Sequence, residues 1–286
     1  MKANHCKRIA ALLLACALMA LTFTGCFGRE SDKQNHTEYT LNEDGKSYTL
    51  VYFSDTQNYT KLEINAFNGL PVTVIGEYAI QSAEHLEEIV IGPNVTEIRD
   101  WAIILNQHLK NIFVAADNPN YCDEDGVLFS KDKTVLVAYP NGQNVVFERN
   151  GSLEKKADYT VPEGTRTIAH NAFMKTQGLR AVTFPASLRE ISDSAFIHSA
   201  VEEITIAEGL TAIGNDAFIQ CDELKQLTLP STLQSIGDYA FYLCTNKELL
   251  ENFTILAPEA QVKLGKGALP TVKGKAIVPH WAEATK

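Results

Sequence analysis

Chemistry in this sequence has few places to start, because its histidines, cysteines and acidic residues are scattered along most of its 286 residues. His85 and His108 each stand directly before a leucine, Leu86 and Leu109. Brought together they would make a metal-binding or pH-sensing pair. A third ligand at the same relative position is missing, and polar turn positions account for both better. The acidic run from Asp117 to Gly126 has the residue types of a calcium loop. Aligned on Asp123, Asp125 and Gly126, however, its first ligand falls on Tyr121 and its twelfth on Asp132, where Glu is needed. A turn is the better reading, since Asn, Asp, Pro and Gly are what turns use. Cys221 and Cys244 have the same separation as the two histidines, and Thr176 and Ser199 take the corresponding places in the preceding segments. Small buried thiols are expected there, and a disulfide stays open in an oxidising compartment. No Gly-x-Ser-x-Gly, no His-Glu-x-x-His and no glycine loop for phosphate occurs. With no nucleophile, base and orienting partner to name, no catalytic residue, cofactor or metal is expected.

The shared separation matters more than the residues that revealed it. Four hexads carry it: Ile168-Ala-His-Asn-Ala-Phe173, Ile191-Ser-Asp-Ser-Ala-Phe196, Ile213-Gly-Asn-Asp-Ala-Phe218 and Ile236-Gly-Asp-Tyr-Ala-Phe241. Their first positions, 168, 191, 213 and 236, follow one another at a nearly constant period. Each of the first three hexads leads to an alternating apolar pair, Val182/Phe184, Ile204/Ile206 and Leu227/Leu229, with the period of a half-buried strand. A third apolar pair then runs into the next hexad, as in Leu188/Ile191, Leu210/Ile213 and Leu233/Ile236. The same frame recurs in degraded form from Ile75 and Ile98, at the same period. The stretch from Ile98 to Ile168 is close to a whole number of periods, so an interruption there need not dislocate a stack. One such unit cannot bury three apolar patches alone, whereas stacked neighbours bury them in a continuous core.

These residues resemble the BspA-like type of leucine-rich repeat, whose unit reads roughly Ile-Gly-x-x-Ala-Phe-x-x-Cys-x-x-Leu before a short strand and a Pro. Ile213 to Leu224 and Ile236 to Cys244 match it, and Pro185 and Pro230 fall where the family places its Pro. Phe67 to Gly76 resembles the family's lead-in to a first repeat, and Asp125 to Pro140 an insert common in it, expected as a hairpin turning at Ser130 to Lys133. The likeness covers about residues 38 to 256. It implies a β-rich repeat solenoid with short helical or irregular turns, β caps and an inserted hairpin. It also implies attachment to host or neighbouring cells.

The first 25 residues differ in kind: Lys2, Lys7 and Arg8, then the apolar run Ile9 to Phe23, then Thr24-Gly25-Cys26. That is the layout of a secretory signal peptide, and its apolar run is short for a membrane span. Phe23-Thr24-Gly25-Cys26 resembles a bacterial lipobox, which implies that Cys26 becomes the lipidated first residue. Loss of the leader removes three of 25 basic residues and none of the 35 acidic ones, moving the net charge from −10 to −13. Phosphate backbones and anionic lipid surfaces repel such a chain, so nucleic acid is not an expected partner and a membrane only through the anchor.

The expected organisation is a signal peptide (1–25), a lipidated Cys and tether (26–37), an N-terminal β cap (38–73), repeats (74–114), an inserted hairpin region (115–158), repeats (159–250) and a C-terminal cap (251–286). Capping strands are expected at Tyr39 to Thr60, Phe253 to Leu256 and Ala276 to Pro279. The outward side of the strand ladder is the candidate binding face, carried by Val90, Phe113, Arg180, Thr183, Glu203, Thr205, Lys225 and Thr228. The expected function is recognition of an extracellular protein or glycan by an exported, surface-exposed monomer. The alternatives are a scaffolding protein of the cell's own envelope and, more remotely, an accessory hydrolase. Expression with the native leader in a lipoprotein-processing bacterium should give an intact mass that begins at Cys26 and carries a lipid adduct, which Cys26→Ala abolishes. An unmodified wild-type chain would remove the anchor.

Overall fold

The computed structural model describes residues 28–32, 36–55, 58–147, 153–155, 157–272 and 275–281. The leader and Cys26 lie outside the described residues. From Tyr48 onward the chain winds as a β-solenoid, each regular coil giving one short and one longer strand that pair in parallel with the same strands of the next coil.

Strand register follows from the sequence period. In the C-terminal array the short strands Val135–Ala138, Thr167–Ile168, Glu190–Ile191, Ala212–Ile213, Ser235–Ile236 and Lys263–Leu264 align Leu136, Ile168, Ile191, Ile213 and Ile236 in one column. All five are buried. The longer strands Ala157–Thr160, Leu179–Phe184, Glu203–Ile206, Gln226–Leu229, Thr254–Ile255 and His280–Trp281 form a second parallel sheet. Their alternation sends Val182, Ile204 and Leu227 into the core and Thr183, Thr205 and Thr228 outward. Lys61–Ile64, Glu88–Ile91 and Asn111–Val114 repeat the arrangement in the N-terminal array.

The third side of each coil is a tight turn built on left-handed backbone. The fourth and eighth positions of the six regular coils, from Tyr78 and Ser82 to Tyr239 and Leu243, have φ between 52° and 62°. Apart from Asn171, His198 and Asp216, these are not residues that adopt this conformation readily, and each such turn residue costs about 1–2 kcal/mol. The turns are held because their N–H groups donate to the following coil: Ser194 to Asn215, Asp216 to Asp238, Lys175 to Ile197, His198 to Ile219, at 2.8–2.9 Å. Between these positions the Phe173, Phe196 and Phe218 amides donate to the Ala195, Ala217 and Ala240 carbonyls at 2.7–2.8 Å. Their rings stack in one column from Tyr139 through Phe241, with centroids 4.6–5.2 Å apart and planes within 21° of parallel.

The segment between the two arrays is a three-stranded antiparallel meander, Tyr121–Glu124, Val127–Ser130 and Val135–Ala138, whose last strand opens the short-strand ladder. The second and third strands turn across Lys131 to Thr134, inside the stretch read as a hairpin. The acidic run read as a simple turn contains a strand, Tyr121–Glu124, and its tight turn is confined to Asp125-Gly126, both at positive φ. Such a pair suits a two-residue hairpin. A Cβ on Gly126 would stand 2.5 Å from Asn111 Oδ1, so the turn also needs glycine's small size. The middle strand is a partition: Val127 and Phe129 pack into the C-terminal core, and Leu128 between them faces the N-terminal core, all three fully buried.

At the N-terminal end Thr37–Leu41 and Tyr48–Phe53 form a hairpin through Asn42 to Ser47, where Asp44 accepts from the Lys46 and Ser47 amides. At the other end Lys247–Asn252 is a single short helix capped by Asn246, which buries Leu249. The strand expected at Ala276 to Pro279 is displaced: its first residue belongs to a small hairpin with Thr271–Val272, and ladder pairing resumes at His280–Trp281. Pro279 has no N–H to offer a ladder, and His280 N donates to Phe253 O at 3.0 Å immediately after it.

The Phe218 ring has a stacked aromatic on either side, so Phe218→Ala leaves a cavity in the middle of the column. It should lower unfolding stability by about 3–5 kcal/mol, read as a shifted urea midpoint. A loss under about 1 kcal/mol, the ordinary range for a surface change, would mean the column carries little of the stability.

Candidate functional site

The outward face of the ladder is two surfaces. Val90 and Phe113 are register partners in the N-terminal sheet, and Arg180, Thr183, Glu203, Thr205, Lys225 and Thr228 lie on or beside strands of the separate C-terminal sheet. Phe113 is 39% exposed, beside half-buried Val90. The charged candidates are engaged with one another. Arg180 bridges Asp158 and Glu203, one in each flanking coil, and Lys225 pairs with Glu202 at 2.7 Å. The Asp158 hydrogen bond, first, and the nearby carboxylates hold the Arg180 guanidinium firmly charged.

The threonines are arranged differently. Register puts Thr160 opposite Thr183 and Thr183 opposite Thr205, and separately Thr228 opposite Thr254; the strands of Thr205 and Thr228 pair through Ile204 and Leu227, so five threonines lie along the outer face of the C-terminal sheet. Thr160, Thr183 and Thr205 are exposed, Thr228 and Thr254 half-exposed. Parallel strands space such a row at about 4.8 Å. Thr160 and Thr254 sit between the apolar residues Tyr159/Val161 and Phe253/Ile255, in the same alternation as the others, and strand register places them in the row. A shallow groove of 310 Å³ lies over Thr205, Thr228, Glu203 and Gln226.

His85 and His108 both line a 680 Å³ cleft that also includes Asn58, Ser82, Glu84 and Lys175. The carboxylate that reaches His85 comes from Asp55 in the N-terminal cap. Its Oδ2 accepts from the His85 amide at 2.6 Å and lies 3.1 Å from ring Nδ1. Among the described residues no group of three or more His, Cys, Asp or Glu side chains is placed to hold a metal ion. Cys221 and Cys244 are free and buried, and their thiols donate to the Phe196 and Phe218 carbonyls at 3.0 and 2.9 Å. Burial above all, with Cys244 alongside, pushes the Cys221 thiol well above the ordinary range and keeps it protonated.

Stacked coils of one sequence period, with an apolar column at each corner, define a leucine-rich-repeat solenoid. A family model for the BspA type leucine rich repeat region matches residues 31–123 and 143–262 in six copies. The chain belongs to that family; residues 124–142, which the match omits, hold the last two strands of the meander. Among solved structures it is similar to a leucine-rich repeat protein from Eubacterium ventriosum (18% identity, 82% of this chain and 83% of that one, TM-score 0.46). It is also similar to the pneumococcal vaccine antigen PcpA (16%, 87% and 89%, 0.48) and to a leucine rich cell surface protein from Faecalibacterium prausnitzii (19%, 86% and 74%, 0.44). No curated protein matches the chain in sequence. No helix among the described residues is long and apolar enough to cross a membrane.

His198, half-buried in the second left-handed position of its coil, has its pKa lowered by burial first and by Lys175 second. The unfolded chain therefore binds its proton more readily than the folded one, and stability falls as pH drops from about 6.5 toward the lowered value. His198→Asn, a residue that accepts positive φ, should flatten that part of a stability-against-pH curve measured by denaturant unfolding. An unchanged slope would assign the pH dependence elsewhere.

Proposed function

We propose that this chain is an exported surface lipoprotein, anchored through Cys26, that binds an extracellular protein or glycan as a monomer and catalyses no reaction. The observation that carries the reading is the threonine row: five side chains on successive strands along the outer face of one parallel sheet, beside charges already paired with their neighbours. A face of that kind offers hydroxyl donors and acceptors at a fixed repeat with little charge to desolvate. Membership in a solenoid family supports it, since stacked repeats generate extended binding surfaces. Phe113 gives the N-terminal sheet a separate exposed aromatic of the kind that anchors partners.

The test uses the chain without residues 1–25 against arrayed extracellular-matrix proteins and glycans. Thr183→Arg and Thr205→Arg place bulk on the row at exposed positions, where surface changes cost within about 0.5 kcal/mol. Binding should fall about ten-fold or more with an unchanged melting temperature. Binding untouched by both changes would move the site off this face. Selective capture of partners from the cell's own envelope, with no binding to matrix or foreign cells, would favour a scaffolding role.

A further inference from the structure

The chain just beyond Cys26 is already part of the folded body. Glu30–Asp32 is a strand, paired antiparallel with Thr37–Leu41 in a register that sets Glu30 opposite Tyr39 and Asp32 opposite Thr37. Three side-chain bonds hold its leading end. Arg29 Nη1 donates to Glu38 Oε2 at 3.0 Å, Tyr48 Oη to Glu30 Oε1 at 2.9 Å and Asn68 Nδ2 to Glu30 Oε2 at 2.7 Å. Tyr48 is a core residue, and Asn68 sits in the turn between Ala66–Phe67 and Leu70–Ile75, so the strand is tied to two separate parts of the N-terminal cap. Only Phe27, Gly28 and Arg29 stand between Cys26 and Glu30.

Covalent geometry limits what so short a connection can do. The four Cα steps from Cys26 to Glu30 span at most about 14 Å. A lipid on Cys26 holds that residue at the bilayer interface, whose headgroup layer is itself about 5–8 Å thick. Less than about 10 Å then separates Glu30 from the outer edge of the headgroups, no more than the width of one helix. Register shows which part of the cap lies there. Thr37–Leu41 runs antiparallel to the first strand and on into the turn Asn42 to Ser47, so that turn and the Asn68-Gly69 tip flank the end of the strand that faces Cys26. Glu43, Asp44, Lys46 and Asn68 are exposed along this rim, and none of the large exposed apolar side chains among the described residues belongs to it. The Lys46 amide, first, and Ser47 hold the Asp44 carboxyl below the usual carboxylate range, so a charge stays on the turn. A rim of this kind suits the headgroup layer and is excluded from the hydrocarbon beneath it.

We infer that this rim of the N-terminal cap rests against the zwitterionic headgroups of a phospholipid surface, so that the solenoid is held at the bilayer and not on a free tether. The inference depends on Cys26 being lipidated, as proposed above. A tether running unpaired from Cys26 to Glu38 would let the cap range roughly 40 Å from the membrane, and pairing of Glu30–Asp32 with the cap cuts that range to about 14 Å. Zwitterionic lipid is the surface that fits, because Glu43 and Asp44 outnumber Lys46 on the turn and an anionic leaflet would repel an acidic chain brought this near. The contact is separate from the threonine row and uses none of its residues.

The experiment uses the full mature chain, expressed with its native leader and reconstituted into phosphatidylcholine vesicles whose headgroups carry an acceptor dye. Lys46→Cys in a Cys122→Ser background takes the donor dye, since Cys221 and Cys244 are buried. Energy transfer from position 46 should be strong, and stronger than from Lys263→Cys in the last short strand at the far end of the solenoid. A Gly-Ser insert of about ten residues between Phe27 and Gly28 adds about 17 Å of r.m.s. reach and should lower transfer from position 46 at least about two-fold. The insert lies outside the folded cap, so the variant tests distance and not folding. Intact mass separates this inference from the anchor on which it rests. With a lipid adduct present, weak transfer from position 46, equal transfer from positions 46 and 263, or transfer unmoved by the insert would each overturn the resting cap and leave the anchor standing. A mature chain without an adduct would overturn both.

Discussion

What the rest of this structure depends on is the contact of one coil with the next at the turn. A single coil holds two residues at positive φ and leaves the amides of left-handed residues and of the phenylalanine between them without partners inside the coil, a conformation it cannot keep alone. The neighbour supplies what is missing: an alanine carbonyl for each phenylalanine amide, further carbonyls for the left-handed residues, and a ring face for each ring. Strain and its relief lie in different coils, so the regular unit is stable only as a member of the array.

The parts of the fold set by periodicity were legible in the sequence. A constant spacing predicts parallel register, because residues one period apart must come opposite each other. Ile168, Ile191, Ile213 and Ile236 do so. Features set by a departure from the period were not legible. Leu136-Val-Ala-Tyr139 does not look like Ile-x-x-x-Ala-Phe, and only hydrogen bonding and stacking identify it as the same turn with two residues removed. The Asp55 carboxylate beside His85 comes from outside the repeats, where no period points to it. The C-terminal strand was misplaced because an apolar run ending in Pro279 looks like a strand, although a proline favours pairing after it.

The candidate face was legible as a surface and less so as chemistry. Alternation identifies which residues point out, yet it does not say which charges are already taken. Arg180 and Lys225 spend their charge on carboxylates of the adjacent coils, as does Lys110 with Glu87. Exposed pairs of this sort contribute about 0–1 kcal/mol each. Their larger effect is to neutralise the polar border of each strand and leave the threonines as the distinctive outward groups.

The strand Val127–Ser130 gives the molecule a party wall. Its odd residues belong to one core and Leu128 to the other, so neither array can lose its packing without uncovering one side of a strand that the other still needs. Repeat proteins ordinarily fray from their ends, with cooperativity fading over a few units. Here a shared surface sits in the middle, where the repeat is least regular, and two arrays that could have melted as strangers are made to share a fate.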